Sequence, residues 1–323
     1  MSLSRLLVAL AIVVVGGVVV LECSGRQPDR DAVAAAEAEL GIDLASRRLS
    51  VGDVELFVVE AGPADGPLVV LLHGFPEFWY AWRGPMAGLA AAGFRVAVPD
   101  QRGYDLSDKP EEIDAYRVDL LAADIAALIP ALGYESAFVA GHDWGGGVAW
   151  NLAIRHPERV RRLAVVDTPH PRAFDDFESD EDTVDWFRTF FALPWLPERA
   201  ARLGNWRLGS SALRDTSLAD TFPEATMDLY RSAWDRDDAM KGMIDWYRAS
   251  YRDPPPDPAT WRVALPTLVM LAPGDVYIPA AATRRSMSWL DDGRLVELEE
   301  GTHWVIQERP ARIAELLVEF FVR

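Results

Sequence analysis

Short apolar runs at residues 68–72, 95–98, 137–140, 163–166 and 267–271 constrain this chain more than any other feature. Each is too short for a buried helix and lacks the polar alternation of a strand with one wet face, so each predicts a buried strand. Helical segments at 79–92, 118–132 and 148–154 fall between them. Alternation of this kind predicts an α/β fold built on a doubly wound, mostly parallel sheet. Residues 47–51 and 54–61 read as a hairpin around Gly52-Asp53, residues 294–298 as a further strand, and 311–321 as a closing amphipathic helix.

Between residue 171 and about 261 the pattern changes. Buried strand runs disappear, acids crowd 175–185, and aromatic residues recur at helical spacing up to Pro254-Pro255-Pro256. This predicts a helical cap inserted over the carboxyl ends of the strands, where open α/β sheets bind ligands. The expected division is a core at 45–171 and 262–323, a cap at 172–261, and a polar, alanine-rich linker at 25–44. Residues 6–21 carry no polar side chain. With Arg5 ahead of them they predict, within 1–24, an uncleaved membrane anchor, the alternative being a signal segment removed on secretion.

The 323 residues include 50 acids against 32 bases, a net charge of -18, which argues against nucleic acid as a partner. Cys23 is the single cysteine, so neither a disulfide framework nor a cysteine metal cluster can form.

Gly141-His142-Asp143-Trp144-Gly145 has the small-x-nucleophile-x-small spacing of a strand-to-helix nucleophile elbow, with aspartate where an esterase carries serine. That choice narrows the chemistry. A serine attacking an sp3 carbon would leave a stable ether, whereas a carboxylate leaves an ester that water can cleave at its carbonyl carbon. His73-Gly74-Phe75-Pro76 follows the strand at 68–72, where a loop of this kind supplies one oxyanion N–H from Phe75; Trp144, after the nucleophile, supplies the other. Asp275, in Pro273-Gly274-Asp275, and His303, in Gly301-Thr302-His303-Trp304, complete the order nucleophile, acid, histidine. Asp167, after the strand at 163–166, competes with Asp275 as the acid. Glu77 is read as capping the following helix, and His142 as the variable position of the elbow.

Four stretches carry a family resemblance: His73-Gly-Phe-Pro-Glu-Phe-Trp-Tyr-Ala-Trp-Arg83, Asp100-Gln-Arg-Gly-Tyr104, Gly141-His-Asp-Trp-Gly-Gly146 and Asp245-Trp-Tyr-Arg248. From about residue 45 onward the chain resembles the epoxide hydrolases of the α/β-hydrolase fold. The resemblance implies a hydrolase that forms an alkyl ester on Asp143, with His303 activating water and Tyr247 in the cap protonating the departing oxygen. It implies a second cap tyrosine as well, but that position aligns near Phe190, which has no proton to give; Tyr230 and Tyr251 are its candidate substitutes. Trp79, Phe190, Trp246 and Trp186 are expected to line a site for a small hydrophobic epoxide, which reacts with water; no cofactor or metal is expected. The alternatives are a haloalkane dehalogenase using the same aspartate, and a catalytically weak, membrane-anchored binding protein of this fold.

Overall fold

The computed structural model describes residues 31–175, 186–252 and 255–322. Among the described residues eight strands form one sheet: β1 (Ala45–Val51), β2 (Val54–Ala61), β3 (Leu68–Leu72), β4 (Arg95–Pro99), β5 (Ala137–His142), β6 (Val160–Val166), β7 (Thr267–Leu271) and β8 (Gly293–Glu297). Their order across the sheet is β1-β2-β4-β3-β5-β6-β7-β8. The hairpin of β1 and β2 pairs antiparallel and joins β4 antiparallel, whereas every neighbour from β4 through β8 is parallel. Every residue of β3, β5 and β7 is buried, as uninterrupted apolar runs require.

Helices α1 (Ala32–Leu40), α2 (Arg83–Ala91), α3 (Val118–Ala131) and α4 (Trp144–Arg155) precede the insertion between β6 and β7. That insertion holds α5 (Pro171–Asp175), α6 (Trp186–Phe191), α7 (Leu196–Arg214), α8 (Glu224–Trp234) and α9 (Ala239–Arg252); α10 (Ala280–Arg285), α11 (Val305–Glu308) and α12 (Pro310–Val322) follow it. The segment 79–92 is a short 3-10 turn at Trp79–Trp82 leading into α2, not one continuous helix.

Register lines up the strand ends that matter. Leu72 pairs with Gly141, His142 with Val166, and Val166 with Met270, so the loops carrying His73, Asp143 and Asp167 leave the sheet side by side. An isolated bridge between Gly274 and Thr302 draws the loops after β7 and β8 together, next to Asp275 and His303.

Two expectations are corrected. Residues 32–40 of the supposed linker are helix: Asp31 Oδ1 caps the first turn by accepting from Val33 and Ala34, and Gly41 closes it at φ +66°. Glu39 then docks α1 on the core by accepting from the Tyr80 hydroxyl and Arg83. Membrane anchoring is not supported either. The segment 1–24 lies outside the described residues, and among those described no helix is long and apolar enough to cross a membrane.

Candidate active site

Asp143 sits at φ +51° and ψ -125°, a backbone region that L-residues rarely adopt, between the end of β5 and the start of α4. The turn is so tight that a Cβ on Gly145 would lie 2.2 Å from Leu72 O, and one on Gly141 2.3 Å from Gly145 O. Only glycine admits such approaches, which is the physical content of the small-x-x-x-small spacing. The backbone N–H of Phe75 donates to Asp143 Oδ1 at 2.7 Å. Trp144, the other expected donor, is the first residue of α4, where main-chain N–H groups have no partner within the helix.

His303 lies across from the second carboxylate oxygen, its Nε2 3.7 Å from Asp143 Oδ2. Its Nδ1 donates to Asp275 Oδ2 at 2.7 Å, and Asp275 Oδ1 accepts from the backbone N–H groups of Tyr277 and Ile278. Burial opposes a charge on His303, but Asp275, by charge and hydrogen bond, together with the charges of Asp143 and Asp167, outweighs it and raises the imidazole to about 10. Asp167 makes no hydrogen bond to this histidine. Its Oδ1 accepts from Ala272 N at 2.7 Å, its Oδ2 is buried without a partner, and burial and then the nearby Asp275 push it well above the usual carboxylate range.

Two further histidines hold the loops. Burial lowers His73 to about 4, so the ring is neutral; its Nε2 accepts from Gln101 N and its Nδ1 faces Gly74 O. His142, taken from the sequence as a variable position, is fully buried; its Nε2 donates to His303 O at 2.7 Å and its Nδ1 faces Glu77 Oε2 at 3.3 Å. Glu77 therefore does not cap a helix. It also accepts from the Tyr230 hydroxyl and from Gln307.

Over Asp143 opens a cavity of about 820 Å3, lined by Asp143, Trp144, His303, Phe75, Tyr247 and Tyr277 among others. Tyr247, on α9, is ringed by Trp144 at 5.0 Å, Phe191 at 5.1 Å, Phe75 at 5.2 Å and Phe187 at 5.8 Å between centroids. Burial, then the charges of Asp143 and Tyr104, raise the phenol well above its usual range, while a hydrogen bond from the Trp144 side chain favours its ionised form. Tyr247 thus keeps its proton at neutral pH. Trp186 and Tyr251 lie on the lining but are about half exposed.

The aromatic residues expected in the site divide. Phe190 is not on the lining; Phe187 and Phe191, one helical turn apart on α6, are the rings turned to Tyr247, and Phe190 packs on Trp186 and Phe191. Trp79 is buried in the core, its backbone N–H donating to Asp100 Oδ1, and Trp246 is buried with its indole donating to Arg102 O and its ring against Tyr104. Tyr230 is committed to Glu77. Tyr277, which sequence reasoning missed, packs edge-on against His303 at 5.1 Å. Its only sequence signal was its place two residues after Asp275.

Comparison with known proteins places the chain in a family. A family profile described as the alpha/beta hydrolase fold matches residues 67–310. YfhM of Bacillus subtilis, an AB hydrolase superfamily protein, is 35% identical over 276 residues, covering 84% of this chain and 96% of YfhM. Epoxide hydrolase A of Mycobacterium tuberculosis is 32% identical over 310 residues, covering 85% of this chain and 96% of its own. Among solved structures, Epoxide Hydrolase A from Mycobacterium thermoresistibile superposes with a TM-score of 0.69 at 29% identity, covering 86% of this chain and 98% of that one.

Proposed function

Because the chain belongs to the epoxide hydrolase family of the α/β-hydrolase fold, we propose that it hydrolyses a hydrophobic epoxide to a vicinal diol through an ester on Asp143. One observation carries the residue assignment: a single carboxylate faces a backbone N–H on one oxygen and His303 on the other, under a protonated phenol in an apolar cavity. Residues 45–171 and 262–323 act as the core and 172–261 as the cap that brings Tyr247 over it.

In the resting site His303 is an imidazolium between Asp275 and Asp143. Asp143 attacks a ring carbon, the C–O bond breaks, and the oxygen takes its proton from Tyr247. The phenolate left in a buried site is costly and recovers a proton from His303. Esterification has meanwhile removed the charge of Asp143, one of the groups that held the imidazole proton, so neutral His303 can accept a proton from water. Water adds to the ester carbonyl as His303 takes its proton, and the backbone N–H groups of Phe75 and Trp144 receive the oxyanion. On collapse the bond from the carbonyl carbon to the substrate oxygen breaks while the new hydroxyl's proton passes to that oxygen, releasing the diol and leaving Asp143 ionised and His303 protonated. Asp275 keeps the ring oriented with Nε2 toward the ester.

His303→Gln should stop the second half only. Incubated with styrene oxide, the variant is expected to lose turnover by roughly 10²-fold or more while the peptide containing Asp143 gains the mass of one substrate. An unmodified peptide from folded variant would remove Asp143 as the nucleophile.

A further inference from the structure

Ring opening needs a proton at the departing oxygen, and the cavity offers few phenols to give it. Of the eight tyrosines in the chain, three line it: Tyr247, Tyr251 and Tyr277. Tyr251 is half exposed on α9, and the hydroxyl of Tyr277 is held by Ala212 O at 3.2 Å and by Thr216 at 3.3 Å. Tyr104 is buried off the lining, against His73 and Trp246. Phe187 packs against both remaining phenol rings, 5.8 Å from Tyr247 and 6.0 Å from Tyr277 between centroids. The Tyr247 ring is packed against the rings of Phe75, Phe187, Phe191 and Trp144, and the Trp144 side chain also hydrogen-bonds its phenol.

From this arrangement we infer that the enzyme is selective for epoxides carrying an aryl group on the carbon that Asp143 attacks. The inference rests on the epoxide hydrolase reading above and deepens it. With one phenol, less of the negative charge on the leaving oxygen is neutralised as the C–O bond stretches, and a single such donor is commonly worth roughly 10²- to 10³-fold in rate. A benzylic carbon offsets that loss from the other end of the breaking bond, because the aryl group delocalises the positive charge that develops there. Phe75, Trp144, Phe187 and Phe191 also line the cavity, so an aryl substituent finds aromatic neighbours there. An unactivated alkyl carbon receives neither help. The electron balance is that of the proposed reaction: an Asp143 oxygen forms the new C–O bond, the ring C–O pair goes to oxygen, and Tyr247 supplies the proton.

The experiment follows ester formation in single turnovers with the whole protein. For para-substituted styrene oxides, ester formation should quicken as the substituent becomes more electron-donating. Phe187→Tyr places a second phenol beside Tyr247; it should accelerate ester formation from an unbranched 1,2-epoxyalkane by about tenfold or more, and from styrene oxide by less than about threefold. A flat substituent series, or an equal gain on both substrates, overturns the inference. Should Phe187→Tyr not fold, the substituent series on the unaltered protein decides it. Failure of the underlying reading looks different: no ester from either substrate, and no loss on Tyr247→Phe.

Discussion

Gly74 shows how little room surrounds Asp143. A Cβ there would lie 2.4 Å from Asp143 Cβ and 2.5 Å from its Oδ1, so any side chain must displace the carboxylate from the Phe75 N–H. Gly74→Ala is therefore expected to lower ester formation by roughly 10²-fold, the usual consequence of a reacting group misplaced by about 1 Å, with the circular dichroism spectrum unchanged; burst kinetics would show it. At this scale the sequence was most legible where chemistry restricts the residue type. An aspartate at the elbow and a histidine after the last strand announce themselves, because few other side chains can serve there. Phe187 and Tyr277 were not legible. A phenylalanine in an aromatic-rich helix carries no mark of the ring it faces, and the choice between Phe187 and Phe190 turns on the rotation of α6 about its axis.

Among the elements, α9 bears most directly on function, because it carries Tyr247 across to the sheet. Its seat is a contact between two glycines: a Cβ on Gly242 would lie 2.7 Å from Gly103 O and 2.8 Å from Gly103 Cα. Gly103 cannot easily retreat, since its φ is +92° and its N–H donates to Asp108 O. Alanine in a helix interior gains about 1 kcal/mol over glycine, but overpacking against backbone costs about 1–3 kcal/mol. Gly242→Ala should therefore lower the thermal midpoint and, by lifting Tyr247, slow ring opening more than ester hydrolysis. Calorimetry and single-turnover kinetics test the two parts. The buried strands were readable as elements because five apolar residues bounded by turns have few alternatives. Helix α1 was missed because its nine residues bury only Ala36, and alanine-rich polar sequence suits a linker equally well.

For the whole molecule, the site couples folding to pH. His303 holds its proton up to about 10 in the folded chain against 6.5 as a free side chain. Folding therefore gains from this proton in full below pH 6.5, and the gain drains away as the pH rises through about 10. The midpoint difference between the unaltered protein and His303→Gln should accordingly shrink from pH 6 to pH 10 in denaturant titrations. A constant difference would mean that the imidazolium is not held by the carboxylates around it. The sequence by itself determined the parallel sheet and singled out Asp143 as the proposed nucleophile, with its proposed partners in chain order, because these depend on local periodicity and on the few side chains able to do the chemistry. Only the tertiary structure decided that Asp275 meets His303 while Asp167 turns to Ala272, that His142 and Glu77 brace the histidine loop, and that Phe187 stands beside Tyr247. Those outcomes depend on which of several similar side chains a strand register and a helix rotation bring within 3 to 6 Å of one another, and no local pattern encodes that.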